Sequence, residues 1–156
     1  MKKTVSILLV TVLLLGNLTG CDGGRGKNDG ATLSPETTSV TLSNGVSIDL
    51  GVYVLDGEEE LTVTKQAVEE NKDEGYKIEA YDFKLSDMTE LSDFITLRIP
   101  YDTAYCEDGQ DPAKCVGAMY KNETTGKWED VLFEVDATAN ELIIYTDHLS
   151  TFGVFH

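Results

Sequence analysis

Two residues near the carboxyl end, His148 and Ser150, have the types and the spacing that could cleave a peptide bond. A serine hydroxyl is a weak nucleophile near neutral pH, so it needs a neighbouring base such as an imidazole. If His148 took the proton, the Ser150 oxygen could attack the carbonyl of Leu149 and form an ester that water hydrolyses. Such a reaction also needs a strained turn. The alternative is structural: both side chains cap a last strand by hydrogen bonds, while Phe152 and Val154 fill the core.

The segment around these residues resembles a known self-cleaving motif. A tryptophan, a hairpin and the pattern His-Leu-Ser/Thr-x-Phe-x-Val make up the GPS motif of GAIN domains, the autoproteolysis modules of adhesion receptors. The residues that match it are Trp128, His148, Leu149, Ser150, Phe152 and Val154. The segment is also similar to the related self-cleaving sandwiches of ankyrin-type and death-domain proteins, and to Asp-His-Leu-Ser-Thr-Phe endings of bacterial surface proteins.

The resemblance implies a single cut between Leu149 and Ser150, with His148 as the base and Ser150 as the nucleophile. It implies one self-directed event and no turnover. The chain departs from the receptor motif because it lacks the motif's paired cysteines, so the two hairpins are not stapled together.

The amino terminus carries a different chemistry, in a Leu-Thr-Gly-Cys motif at positions 18–21. It follows Lys2, Lys3 and an apolar run at positions 5–15, which is too short for a membrane span of roughly 20 residues and is typical of a secretion signal. The motif resembles the bacterial lipobox at all four positions. The resemblance implies that residues 1–20 are a signal peptide and that the thiol of Cys21 carries lipid, palmitate included. The alternative is an ordinary signal peptide with a chance cysteine.

Cys106 and Cys115 remain as an even pair once Cys21 is taken by lipid. An even pair in an exported chain favours a disulfide. The bond would close a turn-rich loop of about ten residues and stabilise the fold by roughly 2–3 kcal/mol. Two free thiols or a metal site are the alternatives. A zinc site would need further ligands, and neither His148 nor His156 has metal-like spacing with these cysteines.

Four carboxylates lie around the loop between these cysteines: Asp102, Glu107, Asp108 and Asp111. Calcium prefers several carboxylate and carbonyl oxygens, so calcium is one candidate ligand. The spacing does not fit an EF-hand loop, and a solvated acidic face is the alternative.

The whole chain is strongly acidic. Its formal net charge is −16, and the loss of Lys2 and Lys3 with the signal peptide takes the mature chain to −18. Such a surface repels nucleic acid and anionic lipid headgroups, which excludes nucleic acid as a direct partner. It suits solubility outside the cell, or the binding of cations and basic partners.

Alternating apolar and polar residues predict half-buried strands. Ile95, Leu97 and Ile99 alternate with Thr96 and Arg98, and residues 61–65 and 81–85 follow the same pattern. Further strands are expected at 37–42, 46–55, 75–80, 115–121, 127–135, 140–146 and 149–155. Residues 65–72 contain good helix formers without alternation, and this predicts one or two helical turns. We therefore expect an all-β chain, an antiparallel β-sandwich of about eight or nine short strands with at most one short helix.

Composition divides the chain into three parts. Residues 1–20 are the expected signal peptide. Residues 21–34 are an expected flexible tether, because glycines with polar neighbours cannot bury enough apolar surface to fold. Residues 35–156 are the expected sandwich domain, long enough for one modest core.

These features favour a lipid-anchored module on the extracytoplasmic face of a bacterial cell membrane. Its partners would be the membrane, through the lipid on Cys21, and an extracellular protein or glycan. We expect a non-catalytic binding role; the alternative is a self-cleaving module that acts through His148 and Ser150. A hydrolase lacks support, because the chain has no nucleophile elbow and no second base.

The lipid anchor can be tested by substitution of Cys21. Cys21→Ser removes the thiol to which lipid would be attached, so we expect loss of lipid labelling and release of the protein or a block in its processing. The measurement is labelling with a radioactive or clickable fatty acid, followed by membrane fractionation. A Cys21→Ser protein that still carries the fatty-acid label, and that sediments with salt-washed membranes as the unsubstituted protein does, would contradict the lipoprotein hypothesis.

Overall fold

Alternating buried and exposed side chains build two antiparallel sheets in the computed structural model, which describes residues 28–51, 54–71, 75–87 and 91–156. The described residues form twelve strands: β1 (Asn28–Leu33), β2 (Ser39–Thr41), β3 (Ser47–Asp49), β4 (Glu59–Lys65), β5 (Glu69–Asn71), β6 (Tyr76–Lys84), β7 (Ile95–Pro100), β8 (Gly117–Lys121), β9 (Trp128–Asp130), β10 (Phe133–Asp136), β11 (Glu141–Thr146) and β12 (Thr151–Phe155). Single 3-10 turns lie at Thr103–Tyr105 and Pro112–Lys114.

The larger sheet has the strand order β1-β4-β6-β12-β8-β9, with β5 also paired to β6. The smaller sheet has the order β10-β11-β7-β3-β2. The two sheets pack together, so the expected antiparallel β-sandwich is confirmed.

The period-two pattern fixes which side chains meet in the core. In β7 the buried residues are Ile95, Leu97 and Ile99, as the alternation predicts, and the register places Leu97 opposite Ile144 of β11. From the larger sheet, Phe83 and Phe152 meet edge to face with ring centroids 5.8 Å apart. Burial of such large apolar side chains stabilises a fold by about 1.5–3 kcal/mol each.

The last strand of the chain lies inside the larger sheet. β12 pairs with β6 on one side and with β8 on the other, so both of its edges are hydrogen-bonded. The preceding strand, β11, belongs to the smaller sheet. Residues 147–150 therefore carry the chain from one sheet to the other, and we call them the crossover.

The expected tether is wrong over residues 28–33, because these residues form β1 and pair with β4 along their whole length. Leu33 is buried, and the Asp29 carboxylate accepts hydrogen bonds from the Ser43 hydroxyl and the Asn44 amide. Composition predicted disorder from local glycine content, whereas pairing with a strand distant in sequence supplies the order. The signal peptide, Cys21 and the first part of the tether lie outside the described residues.

The expected helix at 65–72 is also wrong where the structure describes it. β4 continues to Lys65 and β5 begins at Glu69, and both strands pair with β6. Between them the Gln66 amide donates to the carbonyl of Ala80 at 2.8 Å. Helix propensity is a weak preference that tertiary pairing overrides.

Other differences from the sequence expectation concern number and boundaries. The described residues have twelve strands where about eight or nine were expected. The strand expected at 127–135 is two strands, and β9 belongs to the larger sheet while β10 belongs to the smaller one. In the described ranges, no helix has the length and apolarity that crossing a membrane requires.

Candidate functional site

The crossover begins at a turn that the Thr146 side chain closes. Thr146 is almost fully buried at the end of β11. Its hydroxyl donates to the carbonyl of His148 at 3.0 Å and accepts from the His148 amide at 3.3 Å. These two bonds satisfy backbone groups that leave the sheet ladder as the chain crosses between sheets.

The His148 ring is held by its neighbours on the same turn. Its Nδ1 lies 2.9 Å from the Asp147 carboxylate and 3.2 Å from the Thr146 hydroxyl. The hydrogen bond with His148 lowers the pKa of Asp147 below its ordinary value. With an ionised Asp147, Nδ1 of a neutral ring carries the proton and Nε2 carries the lone pair. The ring packs edge to face on Tyr120, with centroids 5.3 Å apart.

Ser150 is tied to strands on both sides of β12. Its side chain is only 4 % exposed, and its hydroxyl donates to the carbonyl of Lys121 in β8 at 3.0 Å. Its own carbonyl accepts from the Phe83 amide in β6, also at 3.0 Å. The proton that self-cleavage would transfer to His148 is therefore shared with a backbone oxygen. Within the described residues, no hydrogen bond joins His148 to Ser150.

The backbone at the expected cut has no residue with a positive φ. Asn140 is the only described residue other than glycine with a positive φ, of 58°. Leu149 and Ser150 thus lie outside the left-handed region, where backbone strain would be stored.

A shallow depression of about 300 Å³ opens beside the crossover. Its lining residues are Tyr120, Lys121, Asn122, Glu123, His148, Leu149 and Ser150. The depression therefore lies beside the Leu149–Ser150 peptide bond and also borders His148.

Trp128 lies apart from this depression, although it belongs to the same motif. It starts β9 on the outer face of the larger sheet and packs over Gly153, where an added Cβ would lie 3.0 Å from the indole. Its Nε1 donates to the Glu69 carboxylate at 3.4 Å, and the Lys121 ammonium lies 5.4 Å from its ring centroid. The indole thus covers the sheet and does not contact the expected catalytic pair.

The two cysteines of the loop are brought together. Cys106 and Cys115 lie at disulfide distance, with Cα atoms 5.5 Å apart. Two of the neighbouring carboxylates cap the 3-10 turns: Asp102 accepts from the Ala104 amide at 2.9 Å and Asp111 from the Ala113 amide at 3.2 Å. Among the described residues, no group of three or more His, Cys, Asp or Glu side chains converges as metal ligands would.

A partly buried cluster around Glu79 escaped the sequence analysis. Glu79 in β6 accepts hydrogen bonds from the hydroxyls of Tyr81 at 2.5 Å and Tyr105 at 2.7 Å, and it forms an ion pair with Lys65. Burial raises the pKa of Glu79, but the hydrogen bonds from Lys65, Tyr81 and Tyr105 outweigh burial, so the pKa lies below its ordinary value.

The cluster joins the cysteine loop to the end of the chain, because the Tyr105 ring also stacks on His156 with centroids 3.5 Å apart. Burial and the Glu79 carboxylate raise the pKa of Tyr105 to about 12. The alternation in β6 could have revealed this cluster. Glu79 lies on the same face of the strand as Tyr81 and Phe83, which are both buried, and a charged group on that face needs partners.

Comparisons of the chain with protein-family models, with curated proteins and with solved structures gave no match.

The role of Ser150 as a tie between strands predicts a loss of stability on its replacement. Ser150→Ala leaves the Lys121 carbonyl without its donor in a nearly dry position, which costs about 1–3 kcal/mol. Urea unfolding of the two proteins measures this difference. Ser39→Ala, at an exposed position in β2, is the matched control and should change stability by less than about 0.5 kcal/mol. Equal effects of the two substitutions would contradict the structural role.

Proposed function

We propose that this chain is a lipid-anchored, extracytoplasmic binding module that acts without turnover. The observation that carries the proposal is the exposure of two large apolar side chains that directly precede strands of the smaller sheet. Phe94 is 64 % exposed and Leu132 is 71 % exposed, in a sandwich that buries residues of both sheets in one core. Exposed apolar surface of this kind is typical of interaction sites.

The chemistry of the candidate site supports a non-catalytic role. The Ser150 hydroxyl is occupied by the Lys121 carbonyl, and the acidic side chains Asp102 and Asp111 are occupied by backbone amides. The candidate nucleophile and two of the four candidate carboxylate ligands thus have partners within the fold.

The proposed location rests on Cys21 and on the cysteine loop. Cys106 and Cys115 lie at disulfide distance, and we infer that they are linked in an oxidising compartment outside the cytoplasm. The first strand starts at Asn28, seven residues after Cys21. A chain of that length spans at most about 25 Å when fully extended, so a lipid on Cys21 would hold the sandwich close to the membrane surface.

Binding to the cell envelope tests this function. The lipid-free Cys21→Ser protein should be retained by envelope fractions of the source bacterium in a saturable way, because its binding surface does not need the lipid. The measurement is depletion of the labelled protein over a range of concentrations, with heat-unfolded protein as the control. Retention that never saturates, or that the unfolded protein reproduces, would contradict a binding module.

A second candidate function is self-cleavage between Leu149 and Ser150. Two features favour it: the depression beside this peptide bond, and the Asp147 contact that leaves Nε2 of His148 as the basic atom. To act, the Ser150 hydroxyl would have to leave the Lys121 carbonyl and turn toward the imidazole.

Intact mass in denaturant distinguishes this second candidate. Cleavage would release residues 150–156 only after unfolding, because β12 is paired on both edges in the folded sheet. His148→Ala and Ser150→Ala should each prevent the release, since base and nucleophile are both needed. A single full-length species that persists for days at neutral pH, identical for the unsubstituted protein and Ser150→Ala, would leave both residues with a structural role.

A further inference from the structure

The outer face of the smaller sheet carries apolar side chains in one of its inner strands, β11. In β11 the buried residues are Leu142, Ile144 and Thr146, so Ile143 and Tyr145 point away from the core. Both are partly exposed. An outward face made only for solvent would carry polar residues at these positions.

Tyr145 lies between the two most exposed large apolar residues of the described chain. On one side its amide donates to the carbonyl of Leu132 at 3.1 Å. On the other side it pairs with Thr96 of β7, and Phe94 precedes Thr96 by two residues, in the same phase. Such diagonal neighbours are about 7–8 Å apart, within reach of aromatic side chains. We call Phe94, Leu132, Ile143 and Tyr145 the Tyr145 patch.

Acidic residues surround the Tyr145 patch. Asp93 precedes Phe94, Glu134 pairs with Ile143 across the strands, and Asp147 directly follows β11. The nearby cation of the same sheet face, Arg98, is paired with Asp49 at 2.9 Å and lies 4.0 Å from Glu141. The surroundings of the Tyr145 patch are therefore negative, and we call them its rim. The Arg98 guanidinium is neutralised by Asp49 and Glu141, so the charges of Asp93, Glu134 and Asp147 are left uncompensated by it.

We propose that the Tyr145 patch binds a protein that presents apolar side chains ringed by lysine and arginine. The proposal rests on the proposed function and names its surface and the chemistry of its partner. Contact between the apolar centres would exclude water, and the complementary charges at the rim would steer the partner and select it.

Charge separates this partner from the other possible occupants. A second copy of the chain would bring an equally acidic rim against the first. With a formal net charge of −16, two copies also repel each other at other faces. An anionic bilayer surface is repelled for the same reason. A basic protein surface is attracted, and the attraction weakens as salt screens it.

Two synthetic peptides test the surface directly. One is a short amphipathic peptide of leucine and lysine, and the other replaces each lysine by glutamate. We expect the lysine peptide to bind the lipid-free Cys21→Ser protein in fluorescence anisotropy, more weakly at high salt, and the glutamate peptide not to bind. Backbone amide shifts should change around Phe94, Leu132 and Tyr145. Shifts confined to another face, or no binding by the lysine peptide, would overturn the proposal.

Matched variants locate the binding energy. Phe94→Ser combined with Leu132→Ser should weaken the affinity for the lysine peptide roughly tenfold or more, because binding energy concentrates in the central apolar side chains of an interface. Val68→Ser removes a half-exposed apolar residue beside the larger sheet and should leave the affinity unchanged. Glu134→Gln should weaken binding at low salt only. Equal losses for the double variant and for Val68→Ser would overturn the proposal, and a thermal melt of each variant confirms that it is folded.

A photo-crosslinking amino acid separates this inference from the proposed function. It is placed in the full, lipid-anchored chain at position 145 in one variant and at position 68 in another. Cross-links to a basic protein from position 145, lost in the Phe94→Ser, Leu132→Ser background, support the Tyr145 patch. Cross-links from position 68 alone, or to a second copy from position 145, overturn this inference while the binding function stands. Failure of saturable envelope binding contradicts the function itself.

Discussion

The insertion of the last strand into the middle of the larger sheet is the constraint on which the rest of the structure depends. β12 supplies Phe152 and Val154 to the core and completes the hydrogen bonds of both β6 and β8. It reaches that position through a crossover of four residues that starts in the other sheet. Each polar group in this short crossing must find a partner nearby, because buried backbone groups are costly when unpaired.

That constraint explains the residue types of the motif without invoking catalysis. Thr146 closes the turn, His148 packs on Tyr120, and the Ser150 hydroxyl reaches the Lys121 carbonyl. The serine has one proton to donate, and its donation to Lys121 competes with transfer to the imidazole. Breaking that bond would add about 1–3 kcal/mol to the barrier of self-cleavage, and each 1.36 kcal/mol slows a reaction about tenfold.

Sequence periodicity predicted the parts of the fold that one strand determines alone. The alternation of Ile95, Leu97 and Ile99 with polar residues predicts which face of the strand is buried, because successive side chains point to opposite faces in any strand. It did not predict β1, whose order comes from pairing with β4, nor the break between β9 and β10, which join different sheets. At the candidate site, the sequence placed His148 and Ser150 together. The acceptor of the serine proton lies 29 residues away and could not be found from local spacing.

The outer faces of the two sheets differ, and the proposed binding surface lies on the smaller sheet. On the larger sheet, side chains of the same sheet lie over its glycines: Trp128 packs above Gly153, and an added Cβ on Gly117 would lie 2.2 Å from the Phe155 ring. These rings take the place of missing side chains and cover the strands beneath. The strands of the smaller sheet contain no glycine, and Phe94 and Leu132, which directly precede β7 and β10, are largely exposed. A partner on this face would bury apolar surface, and apolar burial is the main source of binding free energy.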